Sequence, residues 1–540
     1  MIGHDGELSL LNDVLRGRVS RRSLLARGAA LGLSVPAIAA LVQTQANSAL
    51  AQTAATGEIV WALDSAPPNV LPFGALSLAQ WQGKEFMYDS LLEWDKDLVI
   101  QPALAESFET PDNLTYVFNL RKGVMFHNGA EMTSADVKYS LDLAIAPPEP
   151  GAAVPFLGNI ASVDVVDDYT VKLMMSKVDP SIPGFFAWSN YTPIVPVGTY
   201  DQINVLSEGI GTGPFKLAEY VQDDVIVYEA NPTYWKPGVP CVAKLTLKSL
   251  TDEQSRVAAL RSGEIDGGTF TSDVVLTLEG DENLEVLKGL TSAPRVIQFN
   301  MVNDVPWRDV RVRQAINKVV DRQEIIDKVY GGNAELTGAI PPGYGDYPLT
   351  SEKLAELYAV DVEGAKALMT EAGLTDGFKV TLQAIAAPRE YTQIAEIVAE
   401  ALKQINIDVT VEPLEIGTFA ENIGNGAFEW ASTGRGMRGD PSGYVIDFRS
   451  GTGLNVKWFG EGWKNEEIDQ IYDVALETVD QAARPALYQR ILELIATEVP
   501  NLYTVQPYKY QVVNKRLTGM YVYYTNTNAG LRTTCAAAAE

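Results

Sequence analysis

Three arginines stand on two candidate loops of an acidic chain. Arg389 lies in Ala386–Tyr391, after an alternating strand pattern of Phe378, Val380 and Leu382. Arg435 and Arg438 lie in Gly434–Tyr444, together with Asp440, after a second strand pattern at Phe428–Thr433. Guanidinium forks match carboxylate and phosphate groups. Against a net charge of −27 for the whole sequence, these residues form a local inversion of sign. Ordinary ion pairing with neighbouring acids, Asp440 included, accounts for them equally well. Trp430, Tyr444 and Trp458 fall nearby and suit either ligand stacking or core packing.

Acid–base and metal chemistry have little to work with. The histidines are His4 and His127, and His4 lies in a segment read below as removable. His127 alone gives neither a zinc or nickel ligand set nor a visible triad. HExxH, G-x-S-x-G and P-loop patterns are absent, and no cofactor is expected. Gly434–Gly439 reads GRGMRG, a literal G-x-G-x-x-G. A dinucleotide site needs a helix opening on the third glycine. Here Asp440-Pro441-Ser442-Gly443 follows at once and reads as a turn. The glycines are expected to let the backbone turn tightly and approach a ligand.

The elements that position these loops are strands alternating with helices. Strand patterns occur at Glu58–Leu63, Tyr116–Leu120, Thr170–Met174 and Val225–Tyr228. Ile394, Ile397, Val398, Ala401, Leu402 and Ile405 keep a helical period between the Phe378 strand and a strand at Ile407, Val409 and Val411. That order predicts a right-handed β-α-β unit with parallel strands. Asp361 is expected to cap a helix burying Val362, Ala365, Leu368 and Ala372, stopped by Gly373. In open α/β sheets, ligands sit beyond the carboxyl ends of strands, where both arginine loops fall.

The chain opens with a leader. Ser20–Leu25 carries the pair Arg21-Arg22, an uncharged apolar stretch runs from Gly28 to Val42, and Ala49-Leu50-Ala51 offers small-x-small cleavage. The paired arginines are similar to the twin-arginine type of export address. The apolar stretch is shorter than the ~20 residues of a spanning helix. Residues 1–51 are therefore expected to be removed, giving an exported product without a lipid-anchoring Cys. The remainder is too long for one ordinary core and predicts two or three domains. Its acidity repels phosphate backbones and anionic lipid, which argues against nucleic acid and against direct membrane binding. Cys241 and Cys535 are the only cysteines; a disulfide and two free thiols are both open.

Longer stretches carry a family resemblance. Pro102–Phe108 reads PALAESF, Leu114–Gly129 reads LTYVFNLRKGVMFHNG, and Gly211–Phe215 reads GTGPF. Asn231–Trp235 reads NPTYW, Ser262–Asp266 reads SGEID, and Asp309–Ile316 reads DVRVRQAI. This set resembles the family 5 extracytoplasmic solute-binding proteins of ABC importers, the dipeptide, oligopeptide and nickel binders, over nearly all of the mature chain. The resemblance implies a type II periplasmic-binding-protein-like α/β fold. Lobe I would comprise 52–98, 207–298 and 508–540, with an inserted subdomain at 99–206, and lobe II 299–507. It further implies a non-enzymatic receptor, periplasmic and monomeric, that closes on a solute by a hinge and meets the membrane only through a permease with its ATPases. His127 becomes a framework residue.

The ligand-binding candidates are Arg435, Arg438, Asp440, Trp430, Tyr444 and Arg389, with Phe73 and Trp81 facing them from lobe I. Peptide-binding members resemble one another in an acid three residues before the Asp-Pro of this loop, which holds the peptide ammonium. Met437 stands there instead, beside Arg438. An acidic solute, an opine-like conjugate or a sugar derivative gains weight over a free-amine peptide, and nickel loses it. The competing classes are an exported hydrolase, opposed by the missing motifs, and a sensory or chaperone-like binder without an importer.

Overall fold

The computed structural model describes residues 55–74, 77–148, 157–436, 438–452, 455–480 and 482–537. The leader and Met437 lie outside the described residues. The fold is mixed α/β, built on three main sheets.

The largest sheet has eight strands. The long strand Val505–Asn514 pairs with Leu284–Leu290 and Gly267–Phe270, and Ala334–Leu336 joins its first residues. Beyond Gly267–Phe270 come Glu58–Leu63, Lys244–Ser249, Val225–Ala230 and Phe215–Val221. Glu58–Leu63 runs parallel to both neighbours and buries Ile59, Trp61 and Leu63. Helix Glu253–Ser262 makes one crossover between parallel strands: Asp252 caps its start, and Gly263 ends it at φ +76°, a left-handed conformation that favours glycine.

A four-stranded antiparallel sheet holds Ala105–Glu109, Thr115–Leu120, Thr170–Met175 and Ile160–Asp167. Phe118, Leu141 and Leu173 from this region share one apolar core with Ile59, Trp61 and Leu247 of the large sheet. Cys241 and Cys535 form a disulfide with Cα atoms 4.9 Å apart, which ties the end of the chain to the residues before Lys244–Ser249.

The third sheet has five strands, ordered Ile407–Leu414, Phe378–Ile385, Trp430–Gly434, Arg295–Phe299 and Asn501–Tyr503. Phe378–Ile385 and Ile407–Leu414 are parallel, with Phe378 opposite Ile407, and helix Glu390–Leu402 connects them. Ile394, Ala395, Val398, Ala401 and Leu402 form its buried face, as the apolar period dictates. In helix Val362–Glu371 the buried pair is Ala365 and Met369, four residues apart. Leu368 and Ala372 are half-buried beside them, so the stripe sits one position round from the expected one. Asp361 does cap this helix, accepting from the Gly364 amide at 2.9 Å. Among the described residues, no helix is long and apolar enough to cross a membrane.

Candidate functional site: an arginine loop against an aromatic wall

Strand Trp430–Gly434 delivers the loop. Gly434 is its last paired residue, opposite Arg295, and the Arg435 amide then donates to the Pro294 carbonyl at 3.1 Å. No helix opens on Gly439; a short one starts only at Ser442, after Asp440-Pro441. The geometry a dinucleotide site requires is therefore missing.

The loop runs against a wall contributed by two distant segments. Trp81, on helix Leu78–Lys84, meets Trp188 edge-on at 4.9 Å and Tyr191 at 6.2 Å. Trp188 and Tyr191 stand 4.6 Å apart, and Phe185 lies 6.2 Å from Tyr191. These T-shaped arrangements set positive ring edges against negative ring faces. Only glycines let the loop come so near. A Cβ on Gly184 would fall 2.0 Å from the Gly439 carbonyl oxygen, and one on Gly439 would fall 2.7 Å from the Phe185 ring. Gly436 faces Trp81, whose ring atoms would stand 3.9 Å from a Cβ there. Arg438 is hydrogen-bonded to Tyr191 across the junction. Burial alone would lower the Arg438 pKa, but Tyr191, Asp447 and Tyr444 carry it upward. Its Nε also donates to the Gly443 carbonyl at 3.2 Å.

Two acids of the loop region take arginine partners. Asp440 receives both arms of Arg484, at 3.2 and 3.0 Å, and its Oδ1 accepts the Ser442 amide at 2.9 Å. The Arg484 guanidinium lies 5.8 and 5.5 Å from the Tyr347 and Tyr488 rings, which meet edge-on at 5.5 Å beside it. Arg435 gives one arm to Asp447 at 3.0 Å and lies 5.2 Å from the Trp458 ring. Its Nη2 is buried without a hydrogen-bond partner among the described residues.

The other candidates scatter. Trp430 is fully buried between Phe299, Trp307 and Phe378, so its ring belongs to the core beneath the sheet. Phe73 is likewise buried, 6.5 Å from Tyr200. Tyr444 is buried behind the loop, edge-on to Tyr344 at 5.4 Å, and donates to the Ser292 carbonyl at 3.2 Å. Burial pushes its hydroxyl up to about 12. Arg389 is exposed before helix Glu390–Leu402, and no ion pair joins it to a described acid. The buried arginine at that sheet edge is Arg295, paired with Glu390 at 2.6 Å. The structure thus brings Arg435, Arg438, Asp440 and Trp81 together, and keeps Trp430, Phe73 and Arg389 apart from them. Trp188, Tyr191, Asp447 and Arg484 escaped sequence reading; only the aromatic run Phe185–Tyr191 offered a signal.

His127 is a framework residue. Its Nδ1 accepts the Gly211 amide at 3.3 Å, and its Nε2 bonds the Gly213 carbonyl at 3.0 Å. Burial lowers its pKa to about 4, so the ring is neutral at physiological pH. The sequence motifs gather nearby on one carboxylate. Asp89 accepts from Tyr234 Oη at 3.1 Å, Trp235 Nε1 at 2.9 Å and Thr212 Oγ1 at 3.2 Å, and is bonded by Arg532. A cavity of about 300 Å³ adjoins Asp89, lined also by Glu93, Trp94, Trp188, Tyr521 and Tyr523. None of the eight candidates named from sequence lines it.

Residues 99–455 match the family model of bacterial extracellular solute-binding proteins, family 5. The chain belongs to that family. It is the solute-binding component of an ABC importer, and this family is not enzymatic. The glutathione-binding protein GsiB of Salmonella choleraesuis is 27% identical over 485 residues, covering 87% of this chain and 92% of that protein. Among solved structures, AgaA of A. tumefaciens R10 in complex with agropinic acid superposes with a TM-score of 0.79 at 25% identity, over 90% of this chain and 99% of the other. AppA of Bacillus subtilis, in complex with a nonapeptide, gives 0.77 at 24% identity, over 89% and 99%. The family 5 fold is thus the cluster of periplasmic binding proteins in which these receptors fall.

Proposed function

We propose that this family 5 receptor encloses an anionic, peptide-like or opine-like solute between two lobes and hands it to a membrane permease. The lobes would be those drawn from sequence, with the insert at 99–206 supplying Trp188 and Tyr191. The observation that carries the reading is the half-used Arg435 guanidinium: one arm on Asp447, one buried arm without a partner among the described residues, on the loop whose Gly436 and Arg438 meet the aromatic wall. A ligand carboxylate completes such a fork, and aromatic faces bury the rest of a small solute. Met437, in place of the acid that holds a peptide ammonium, weighs against a free terminal amine. AgaA, seen with agropinic acid, is a relative whose named ligand is an acid; glutathione, for which GsiB is named, carries carboxylates together with a free amine. Arg438 and Asp440 are assigned the flanking loop, the one against Tyr191 and the other held by Arg484. The leader would be a twin-arginine signal cleaved near Gln52, leaving a soluble periplasmic monomer.

Native mass spectrometry of freshly purified protein tests the reading first, because enclosed solutes co-purify. Calorimetry with agropinic acid, an N-acetylated dipeptide as a second anion, and a free-amine dipeptide follows. The anionic probes are expected to bind and the dipeptide to bind far more weakly. Tight dipeptide binding with no response to either anion sinks the proposal.

A further inference from the structure

Lys84 is the last residue of helix Leu78–Lys84, one turn beyond Trp81, and it is fully buried. Its ammonium donates to two carbonyls from separate parts of the chain. One belongs to Pro72, in the turn before Phe73; the other belongs to Asn190, 3.2 Å away, between Trp188 and Tyr191. No carboxylate lies within ion-pair distance among the described residues. The adjacent Glu85 turns the other way and accepts the Asn528 amide at 2.8 Å. The remaining ionisable groups on the surrounding elements are tyrosines or spoken for. Tyr228 bonds the Gly83 carbonyl, Tyr200 stacks by Phe73, and Tyr191 bonds Arg438. A buried cation without a counterion is costly unless its donors are used. Here they join the helix that carries Trp81 to the turn that carries Trp188 and Tyr191.

We propose that Lys84 is the positioning residue of the aromatic wall, its ammonium fixing the spacing between Trp81 and the Trp188–Tyr191 turn and thereby the fit of the solute. The proposal rests on the reading that this wall meets the solute. Charge is essential to the clamp, since hydrogen bonds from a cation are about twice as strong as neutral ones. Burial lowers the Lys84 pKa to about 7, so the charge is present below that pH and lost above it. Fold stability moves the other way. Between about 7 and the unfolded value of 10.5, the unfolded chain binds the extra proton, and stability from this group rises with pH. A wall that loosens as pH rises is therefore distinguishable from unfolding.

Near-ultraviolet circular dichroism of the full chain, freed of solute by dialysis, reads the ring cluster from pH 5.5 to 9. Wild type is expected to show a one-proton transition near pH 7, W81F to lose most of it, and K84M to lack it. Agropinic acid, as the anionic probe, is expected to bind K84M roughly tenfold more weakly than wild type at pH 6, the scale of one charge-assisted bond. A transition that persists in K84M, or one that W81F leaves intact, overturns the proposal. Should K84M fail to unfold cooperatively in urea, wild type against W81F still decides. Should wild type bind no agropinic acid, the dichroism still judges Lys84.

Discussion

The Arg484–Asp440 and Arg435–Asp447 pairs flank the same loop, and both are almost fully buried. In the first, both guanidinium arms meet the carboxylate, two tyrosine rings pack beside the guanidinium, and a backbone amide also donates to the carboxylate. In the second, one arm is used and the other has no partner among the described residues. Burying an ion pair repays its desolvation only when the geometry is complete. The first pair is therefore built to hold the loop. The second carries an unmet bond of the kind that a visiting anion satisfies. Arg435 and Asp440 stand on one loop, and their pairs differ in what the fold leaves unfinished.

The comparison breaks most sharply on Asp440. Asp440→Ala strands Arg484, and unfolding free energy in urea is expected to drop by about 3–5 kcal/mol. A loss under 1 kcal/mol makes the pair dispensable and removes the contrast. Acid gives the next effect and serves as a baseline. His127 is held neutral, with its pKa depressed from 6.5 to about 4. The unfolded chain binds the proton first, so its contribution is whole above pH 6.5 and erodes as pH falls toward 4, by about 3 kcal/mol in all. Wild type and Asp440→Ala should share this erosion in urea titrations at pH 7 and pH 4.5; H127Q, which cannot gain charge, should lack it.

Arg435→Lys sharpens the other side. A lysine keeps the charge opposite Asp447 but lacks the second planar arm. Solute binding by calorimetry should weaken by about 1.5–3 kcal/mol while the urea midpoint stays close to wild type. Equal loss in both measurements returns Arg435 to a structural role. Arg389→Ala should be the smallest change, within about 0.5 kcal/mol in stability and without effect on binding, as befits an exposed side chain.

Much of the scaffold was legible. The parallel unit around helix Glu390–Leu402 follows from the apolar period that a helix with one buried face must keep. The family motifs were legible for a different reason: Thr212, Tyr234 and Trp235 converge on Asp89, so their spacing records a framework common to many solutes. The site itself was half visible. Glycines and arginines at the end of a strand marked the loop. The partners did not show, because Trp188, Tyr191 and Arg484 come from remote segments and only folding sets them beside it. Trp430 and Phe73 misled because residue type does not reveal which face of a covered sheet or turn a ring occupies. Trp430 is aimed at Phe299 and Trp307, on the far side from the loop's work.

The meeting of Gly184 and Gly439 has a mechanical consequence. Two bare backbones touch there, and a single methyl on Gly184 would reach to 2.0 Å from the opposite carbonyl oxygen. The junction behaves like the flush edge of a shut door: there is no clearance to give up. An alanine at Gly184 would act as a doorstop, holding the loop off the Phe185–Tyr191 segment. Were the proposed closure of two lobes to run through this junction, such a receptor would separate capture from hand-over, still gripping cargo by one side while presenting the permease with a shape it reads as empty.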